Sequence, residues 1–177
     1  MKFETEHLLV VDSKLEECNR LYQIASSWTD KILIEGSGVE VGYFEDCITN
    51  GDLPPIEGAT KERYSFKSII LKESQTIIGY FDFYRGYPSS EYVWISIFVI
   101  DSEFRKLGYS QEVMDLFKTY CKNNGFSKIG IGVYLNNWRA LRFWTKTGFN
   151  KVIGVNCEGD YTENKFATIK LELNLNI

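Results

Sequence analysis

Two basic side chains and a glycine stand close together at Arg105, Lys106 and Gly108. An apolar run from residue 92 precedes them, and apolar residues at offsets of 3, 4, 7 and 8 follow between Val113 and Cys121. This pattern predicts a buried strand that turns into an amphipathic helix. The turn is suited to bind a phosphate, because the first N–H groups of a helix lack partners and its dipole favours an anion. An ordinary turn with a solvated Arg-Lys pair explains the same residues.

A second polar segment, residues 136–149, follows another apolar run. Asn136 or Asn137 can cap a short helix that contains Ala140 and Trp144, and Gly148 is placed to end it. The segment therefore predicts a helix whose first turn carries side-chain amides.

These two segments belong to a longer alternation of strands and helices. Strands are expected at residues 3–11, 64–72, 75–84, 92–100, 128–135, 151–157 and 166–175, and helices at 15–25, 39–48, around 113–121 and within 136–149. The structure of residues 28–38 stays open, and the loop at 50–61 is either a plain connector or a flap over a substrate site. The order predicts one mixed α/β domain over residues 1–177.

Composition narrows the classes of function. The chain has 177 residues with a net charge of −4, which argues against a broad nucleic-acid surface. No apolar run approaches the ~20 residues of a membrane helix. The four cysteines lie far apart without a C-x-x-C pair, so we expect no metal site and a reducing, cytoplasmic setting.

Both polar segments resemble motifs of the GNAT family of N-acetyltransferases. Residues 105–110, RKLGYS, resemble its acyl-CoA-binding motif Q/R-x-x-G-x-G/A, and residues 137–149 resemble its second motif, N-x-x-A-x-x-F/L-Y-x-K-x-G-F. The resemblance implies an α/β (α+β) fold, with a mixed, mostly antiparallel sheet of about seven strands, splayed in the middle, and about four flanking helices.

By this resemblance acetyl-CoA is the cosubstrate. The residues implied to bind it are Phe98, Val99, Ile100, Arg105, Lys106, Leu107, Gly108, Tyr109, Ser110, Asn137, Ala140, Phe143, Trp144 and Lys146. Successive N–H groups of residues 107–110 can converge on a pyrophosphate, and Gly108 allows its close approach. The strand ending at Ile100 is implied to splay from the strand at 128–135 and to open a wedge for the pantetheine arm.

The implied reaction is direct attack of a neutral amine on the acetyl thioester. It needs a base, a donor for the oxyanion and an acid for the sulfur. The family implies a backbone N–H of Val99 or Ile100 as the oxyanion donor. Many relatives place a tyrosine hydroxyl beside the sulfur at the position of Trp144, whose indole N–H is not an acid near neutral pH. Tyr134, Tyr109 or a water is then the replacement, unless the thiolate leaves without an acid.

The base is less clear, because the family's usual base positions hold Trp94 and Ser96. Glu91 and Asp82 are the nearest acidic residues, although a surface charge at a strand end explains each of them better. A water relay through Ser96 and Tyr92 is an alternative. Glu91, Ser96 and Tyr134 are therefore the candidate catalytic residues, and the single histidine, His7, is expected to be structural.

The acceptor side is expected before residue 50, in the 50–61 loop and in the turn at 85–91. Its acidic residues can attract a cationic amine and its aromatic residues can line a pocket, although a solvated acidic rim explains the charges equally well. They are Glu45, Asp46, Asp52 and Glu57, with Tyr43, Phe44, Tyr84 and Tyr87.

The sequence thus favours an N-acetyltransferase that acts on a primary amine of a small molecule or peptide, with a homodimer left open. Two other functions fit the same residues. One is an acyl-CoA-binding sensor that has lost catalysis, and the other is a binder of nucleotides or phosphate metabolites.

Overall fold

The computed structural model describes residues 3–157 and 167–176. The strands are β1 (Phe3–Glu4), β2 (Leu8–Asp12), β3 (Tyr64–Leu71), β4 (Thr76–Arg85), β5 (Tyr92–Ile95), β6 (Phe98–Ile100), β7 (Lys128–Tyr134), β8 (Lys151–Asn156) and β9 (Thr168–Asn174). The helices are α1 (Cys18–Ser26), α2 (Lys31–Glu35), α3 (Tyr43–Thr49), α4 (Tyr109–Asn123) and α5 (Trp138–Thr147).

The strands form one sheet in the order β1-β2-β3-β4-β5-β7-β9-β8, with β6 paired to β4. Among the described residues, β5 and β7 are the one parallel pair, and their register ends at Ile95 opposite Ile131. Beyond that point β6 stays with β4, from Phe98 opposite Phe81 to Ile100 opposite Gly79. The sheet is therefore mostly antiparallel and splayed in the middle, as predicted.

Helices cover both faces of the middle of the sheet, so central strands such as β4 are buried on two sides. On one face α4 and α5 pack their apolar residues, among them Phe117 and Trp144, against Phe81 and Ile131. On the other face α1 and α3 form a second core around Phe44. The splay lies between these two apolar layers, in the middle of the molecule.

Two predicted strands are each interrupted, which gives nine strands instead of about seven. The strand expected at 3–11 is a hairpin, because Thr5 N–H donates to Leu8 O and reverses the chain between β1 and β2. The strand expected at 92–100 breaks at Ser96 and Ile97, whose N–H groups donate to the Asp82 carboxylate. Both interruptions depend on hydrogen bonds that hydrophobic patterning does not register.

The helices differ from the prediction at two places. The segment left open contains α2, so the described residues hold five α-helices instead of about four. The helix expected at 39–48 begins only at Tyr43, because Gly42 has φ +88° and cannot belong to a right-handed helix. Asn137 caps α5 through Ala140 N–H, and Gly148 ends that helix in the left-handed conformation, both as predicted. The connection between the strands expected at 151–157 and 166–175 lies outside the described residues.

No helix in the described part of the chain has the length and apolar character needed to cross a bilayer.

Candidate functional site

A cavity of about 430 Å³ opens between β6 and β7, beyond the last β5–β7 pair. It lies beneath the start of α4 and one face of α5. It is lined by Trp28, Phe98, Val99, Ile100, Arg105, Lys106, Gly108, Ser110, Gln111, Asn137, Arg139, Ala140, Phe143, Trp144 and Lys146. The fold thus brings the two separate motifs to one cavity. All the residues expected to bind a coenzyme line it except Leu107 and Tyr109.

The side chains of Leu107 and Tyr109 lie away from the cavity. Leu107 is 59% exposed, and the Tyr109 ring packs on the core, with its centroid 6.4 Å from that of His7. Both residues are expected to bind a pyrophosphate through their main-chain N–H groups, and the positions of their side chains do not block those groups.

Three lining residues were not predicted: Trp28, Gln111 and Arg139. Arg139 lies inside the second motif, and Gln111 follows directly after the first. Their positions in the sequence could therefore have predicted that they line the cavity. Trp28 comes from the segment that gave mixed signals. Its indole Nε1 is buried, and no described residue bonds to it. Trp28 therefore adds aromatic surface to the wall of the cavity.

One edge of β6 faces the cavity. Asp82 N–H donates to Ile97 O, and Asp101 N–H donates to Ile78 O. Within residues 97–101, the odd-numbered residues are therefore those whose main-chain groups bond to β4. The alternation of an antiparallel pair then directs the main-chain groups of Phe98 and Ile100 outward. The bond from Arg105 Nε to Ile100 O, at 2.8 Å, agrees with this outward direction. The N–H groups of Phe98 and Ile100 are therefore placed to donate to a ligand, whereas the N–H of Val99 points toward β4.

The turn before α4 is shaped for close approach. Lys106 and Gly108 have φ values of +65° and +91°, and Gly108 is the N-cap residue of α4. A Cβ atom on Gly108 would meet nothing within 4 Å, so the space beside its Cα is open. The unpaired N–H groups of the first helical turn border this space.

Two guanidinium groups lie near each other at the cavity. Burial, and then the charge of Arg139, lower the pKa of Arg105. Arg139 is itself held by Asp30, at 2.9 and 3.0 Å from its two carboxylate oxygens. An anion between the two arginines would relieve their repulsion. With Lys106 and Lys146, the described residues give the lining four cations and no carboxylate, which fits a coenzyme with a pyrophosphate.

Trp144 serves the core as well as the cavity. It is 4% exposed, and its ring makes edge contacts with Phe98 at 5.7 Å, Phe143 at 4.9 Å and Phe149 at 5.0 Å. An indole in this position supplies shape and apolar surface to the cavity, without a hydroxyl group.

Asp82 is not the surface charge that a strand-end position suggested. It is 0% exposed and accepts hydrogen bonds from Tyr64 Oη at 2.8 Å and from the N–H groups of Ser96 and Ile97, each at 3.0 Å. Burial raises its pKa to about 7, although the three donors act in the opposite direction. Asp82 thus lies behind the break at which the sheet opens.

The structure does not bring Glu91 to the cavity. Glu91 precedes β5 at the end remote from the splay, where its carboxylate accepts from Lys128 at 2.7 Å and from Ser127 at 3.1 Å. These two bonds hold its pKa below the usual range. The surface-charge interpretation fits this placement.

The other groups considered for proton transfer are divided. Tyr92 lies at the same remote end as Glu91, and its hydroxyl donates to the buried Glu172, so a relay through Tyr92 does not reach the cavity. Ser96 is exposed beside the splay, and Tyr134 ends β7 opposite Thr168. Neither side chain lines the cavity, but both lie at the end of the sheet that opens.

The predicted acceptor residues are also divided. Phe44 and Tyr84 are 0% and 1% exposed and belong to the second core, so they cannot line an open pocket. Their burial follows from the packing of α3 on the sheet. Tyr87 packs edge-on against Trp94 with centroids 5.4 Å apart. Glu45 is engaged by Tyr22 Oη at 2.8 Å.

These features belong to a known protein family. The acetyltransferase (GNAT) family profile matches residues 39–149, which span β6, the basic turn, α4 and α5. The chain belongs to the GNAT family of acetyltransferases. The resemblance of its two motifs to those of GNAT proteins is thereby confirmed, and membership supports acetyl transfer in general.

Solved GNAT structures share the whole fold. A GNAT acetyltransferase from Bacillus anthracis is 14% identical, with 100% of each chain covered and a TM-score of 0.75. A spermidine N-acetyltransferase chimera from Vibrio cholerae is 10% identical, with 96% of each chain covered and a TM-score of 0.72. The ribosomal-protein-S18-alanine N-acetyltransferase from Escherichia coli is 10% identical, covering 96% of this chain and 95% of its own, with a TM-score of 0.68. No curated protein matches at a significant level.

Proposed function

We propose that this protein is an acetyl-CoA-dependent N-acetyltransferase, formed by a single domain over residues 1–177, that acetylates a primary amine of a small molecule or peptide. The observation that carries the proposal is the cavity at the splay, which both GNAT motifs line and whose charged lining groups are cations. A splayed sheet without such a cavity would support the fold alone.

The lining residues have separate roles toward the coenzyme. Arg105, Lys106 and the N–H groups of residues 107–110 would hold the pyrophosphate, with Arg139 beside them. The outward main chain of Phe98 and Ile100 would pair with the pantetheine arm as a further strand. The α5 residues Asn137, Ala140, Phe143 and Lys146 would form the far wall, with Trp144 beneath it. When bound, acetyl-CoA supplies the activated acyl thioester.

The chain's own groups then stabilise charge and move protons. An N–H of Phe98 or Ile100 would donate to the carbonyl oxygen as negative charge develops on it. Ser96 and Tyr134 remain the candidates for proton transfer, acting through water. Glu91, at the far end of β5, is no longer among the groups we propose.

Two of the structural relatives support an amine acceptor. The Vibrio cholerae chimera is a spermidine N-acetyltransferase, and the Escherichia coli protein acetylates an alanine of a ribosomal protein. Both kinds of acceptor present a primary amine, one on a small molecule and one on a polypeptide. We therefore propose a primary amine as the acceptor. From the cysteine pattern and the net charge we also propose a reducing cytoplasmic setting and no nucleic-acid partner, and we leave a homodimer open.

One observation favours a second candidate, a coenzyme-binding sensor without catalysis. Among the residues that the structure describes, the cavity lining contains no carboxylate, histidine or tyrosine, so none of these three kinds of group is placed to act as acid or base where the thioester would lie. Both candidates bind the coenzyme, and turnover separates them.

The test is the release of free CoA thiol from acetyl-CoA across a panel of polyamines, amino acids and peptides, combined with calorimetric titration of CoA. Steady thiol release with one amine supports the enzyme. Micromolar CoA binding without turnover on any amine favours the sensor. A failure of CoA to bind while ATP raises the melting temperature would overturn both and favour a nucleotide binder.

A further inference from the structure

Asp82 is a buried acidic residue at the point where the sheet divides. It lies on β4 between Tyr80 and Tyr84, and it is 0% exposed. Its Oδ1 accepts the N–H groups of Ser96 and Ile97, and its Oδ2 accepts Tyr64 Oη. A buried carboxylate with three donors is a costly arrangement that apolar packing would not require.

These bonds define the break between β5 and β6. Asp82 N–H also donates to Ile97 O at 3.1 Å, so main chain and side chain of one residue hold both residues of the break. Before the break, Ile95 pairs with Ile131 of β7, and after it Phe98 pairs with Phe81 of β4. The carboxylate thus fixes where the strand leaves β7, and with it the outward direction of the Phe98 and Ile100 main chain.

We propose that Asp82 is a positioning residue for acetyl transfer, whose charged carboxylate holds the Ser96–Ile97 break and so aligns the Phe98–Ile100 main chain with the coenzyme. This rests on the proposed function, since it assigns Asp82 a role in the same site. Asp82 acts through the main chain and does not touch the reacting atoms.

Several titratable groups face Asp82 from the elements around it. They are Tyr64 on β3, Tyr43 and Cys47 on α3, Asp52 on the next loop, Tyr80 on its own strand and, beside the Tyr64 ring, Lys61. Burial raises the pKa of Cys47 to about 11 and raises those of the three tyrosines, so these groups stay protonated near neutral pH. Burial, then Asp46, raises the pKa of Asp52, whereas burial lowers that of Lys61.

The pKa of about 7 places the charge change of Asp82 itself in the neutral range. Below that pH a proton on Oδ2 would lie against Tyr64 Oη, which can turn to accept it. Oδ1 would keep both N–H groups, but as a neutral acceptor it would hold them less firmly. The site should therefore be better ordered when Asp82 is ionised.

The direct test follows the amide resonances of Ser96 and Ile97 by NMR in the full chain between pH 5.5 and 8.5. Both amides should titrate together with a midpoint near 7, and Asp82→Asn, which keeps the shape and an acceptor oxygen, should abolish that titration. The control is Glu172→Gln, which alters another buried carboxylate that accepts from a tyrosine, Tyr92, at the remote end of β5. Ser96 and Ile97 amides whose chemical shifts and hydrogen-exchange rates are the same in the wild type and in Asp82→Asn, or whose titration is unchanged in Asp82→Asn, would overturn the proposal.

The second readout is the coenzyme. The CoA affinity should fall about tenfold from pH 8 to pH 6 in the wild type and in Glu172→Gln, whereas Asp82→Asn should show the low affinity throughout, with its circular dichroism unchanged. Because the amine substrate is itself protonated as the pH falls, kcat/KM is compared as the ratio of variant to wild type, and only the ratio for Asp82→Asn should change with pH. Equal profiles in all three proteins would refute the positioning role. If CoA does not bind at all, the proposed function fails, while the amide titration still decides whether Asp82 holds the break.

Discussion

The indole ring of Trp94 lies directly against the main chain of Gly130 on the neighbouring strand β7. A Cβ atom added to Gly130 would come within 2.5 Å of Trp94 Cε3, whereas one added to Gly132 would lie 3.9 Å from Cζ2 of the same ring. The ring therefore occupies the space that a side chain at residue 130 would need.

We expect Gly130→Ala to lower the free energy of unfolding by about 1–3 kcal/mol, because the methyl group must displace the ring. Gly132→Ala, two residues along the same strand, should be neutral or slightly stabilising, since the contact is ordinary and alanine loses less entropy on folding. Urea unfolding of both variants measures the difference. Equal stabilities would mean that Trp94 moves aside without cost.

Gly108 and Gly125 form a matched pair at the two ends of α4. They have φ values of +91° and +80°, and a Cβ atom at either position would meet nothing within 4 Å. Each glycine-to-alanine change should therefore cost about 1–2 kcal/mol of stability from backbone strain alone. Only Gly108→Ala should also weaken CoA binding, by tenfold or more in calorimetric titration. Undiminished affinity would remove the turn from the coenzyme site.

Arg139 is expected to contribute to the phosphate affinity of the cavity. Arg139→Gln should weaken CoA binding about tenfold, in line with a charge-assisted hydrogen bond of about 1.5–3 kcal/mol. Pantetheine, which lacks the phosphates, should bind the variant as it binds the wild type. Arg142 lies on the same helix but does not line the cavity, so Arg142→Gln is the control. A loss shared by both variants would indicate only a long-range effect of charge.

Trp144 tests whether the missing tyrosine limits the reaction. Trp144→Ala should cost about 3–5 kcal/mol, because it empties a buried site among three phenylalanines. Trp144→Tyr retains most of the packing and adds a hydroxyl group, so it should keep or raise kcat if sulfur protonation is limiting. A fall in kcat without loss of stability would show that the indole itself is needed for turnover.

Asp82 should also make stability depend on pH. Its pKa is raised from 3.8 to about 7, so between these values the folded protein holds a proton that the unfolded chain has lost. The free energy of unfolding should therefore fall as the pH rises through this interval, by roughly 4 kcal/mol in total. Asp82→Asn lacks this decline, and its stability relative to wild type should rise from pH 4 to pH 8.

For Glu172→Gln, the free energy of unfolding relative to wild type should change with pH in the opposite direction. Burial alone would raise the pKa of Glu172, but the bonds from Tyr92 and Lys151 outweigh burial and lower it. Its stabilising contribution is therefore present above the ordinary carboxyl pKa and is lost as the pH falls. Urea unfolding series that show the same sign for both variants would contradict the assignment of either carboxylate.

The parts of the site that the sequence predicted depend on local signals. Asn137 caps the helix through an amide three residues away, and Gly148 and Gly108 adopt backbone conformations that other residues avoid. Such signals lie within a few residues of the feature they specify. The resemblance to GNAT motifs then related two segments that no periodicity could have brought together.

The features that the sequence did not reveal depend on distant contacts. The break at Ser96 is made by a carboxylate fourteen residues earlier in the chain. Asp82 itself stands between Tyr80 and Tyr84 on a strand covered on both faces, so its burial followed from the layering of helices and not from its own type. Trp28 lies on a segment that Asp30 and Arg139, 109 residues apart in the chain, help to tie to α5.

The splay that opens the cavity also leaves a narrow seam between two halves of the sheet. β5 and β7 join over four residue pairs only, from Tyr92 opposite Lys128 to Ile95 opposite Ile131, and this parallel contact closes only after the chain has crossed through α4. Because long-range parallel pairing forms slowly, the seam should assemble late, and its shortness should make it open readily. A ligand lying along β6 would fasten both halves, so hydrogen exchange at the seam would report its binding.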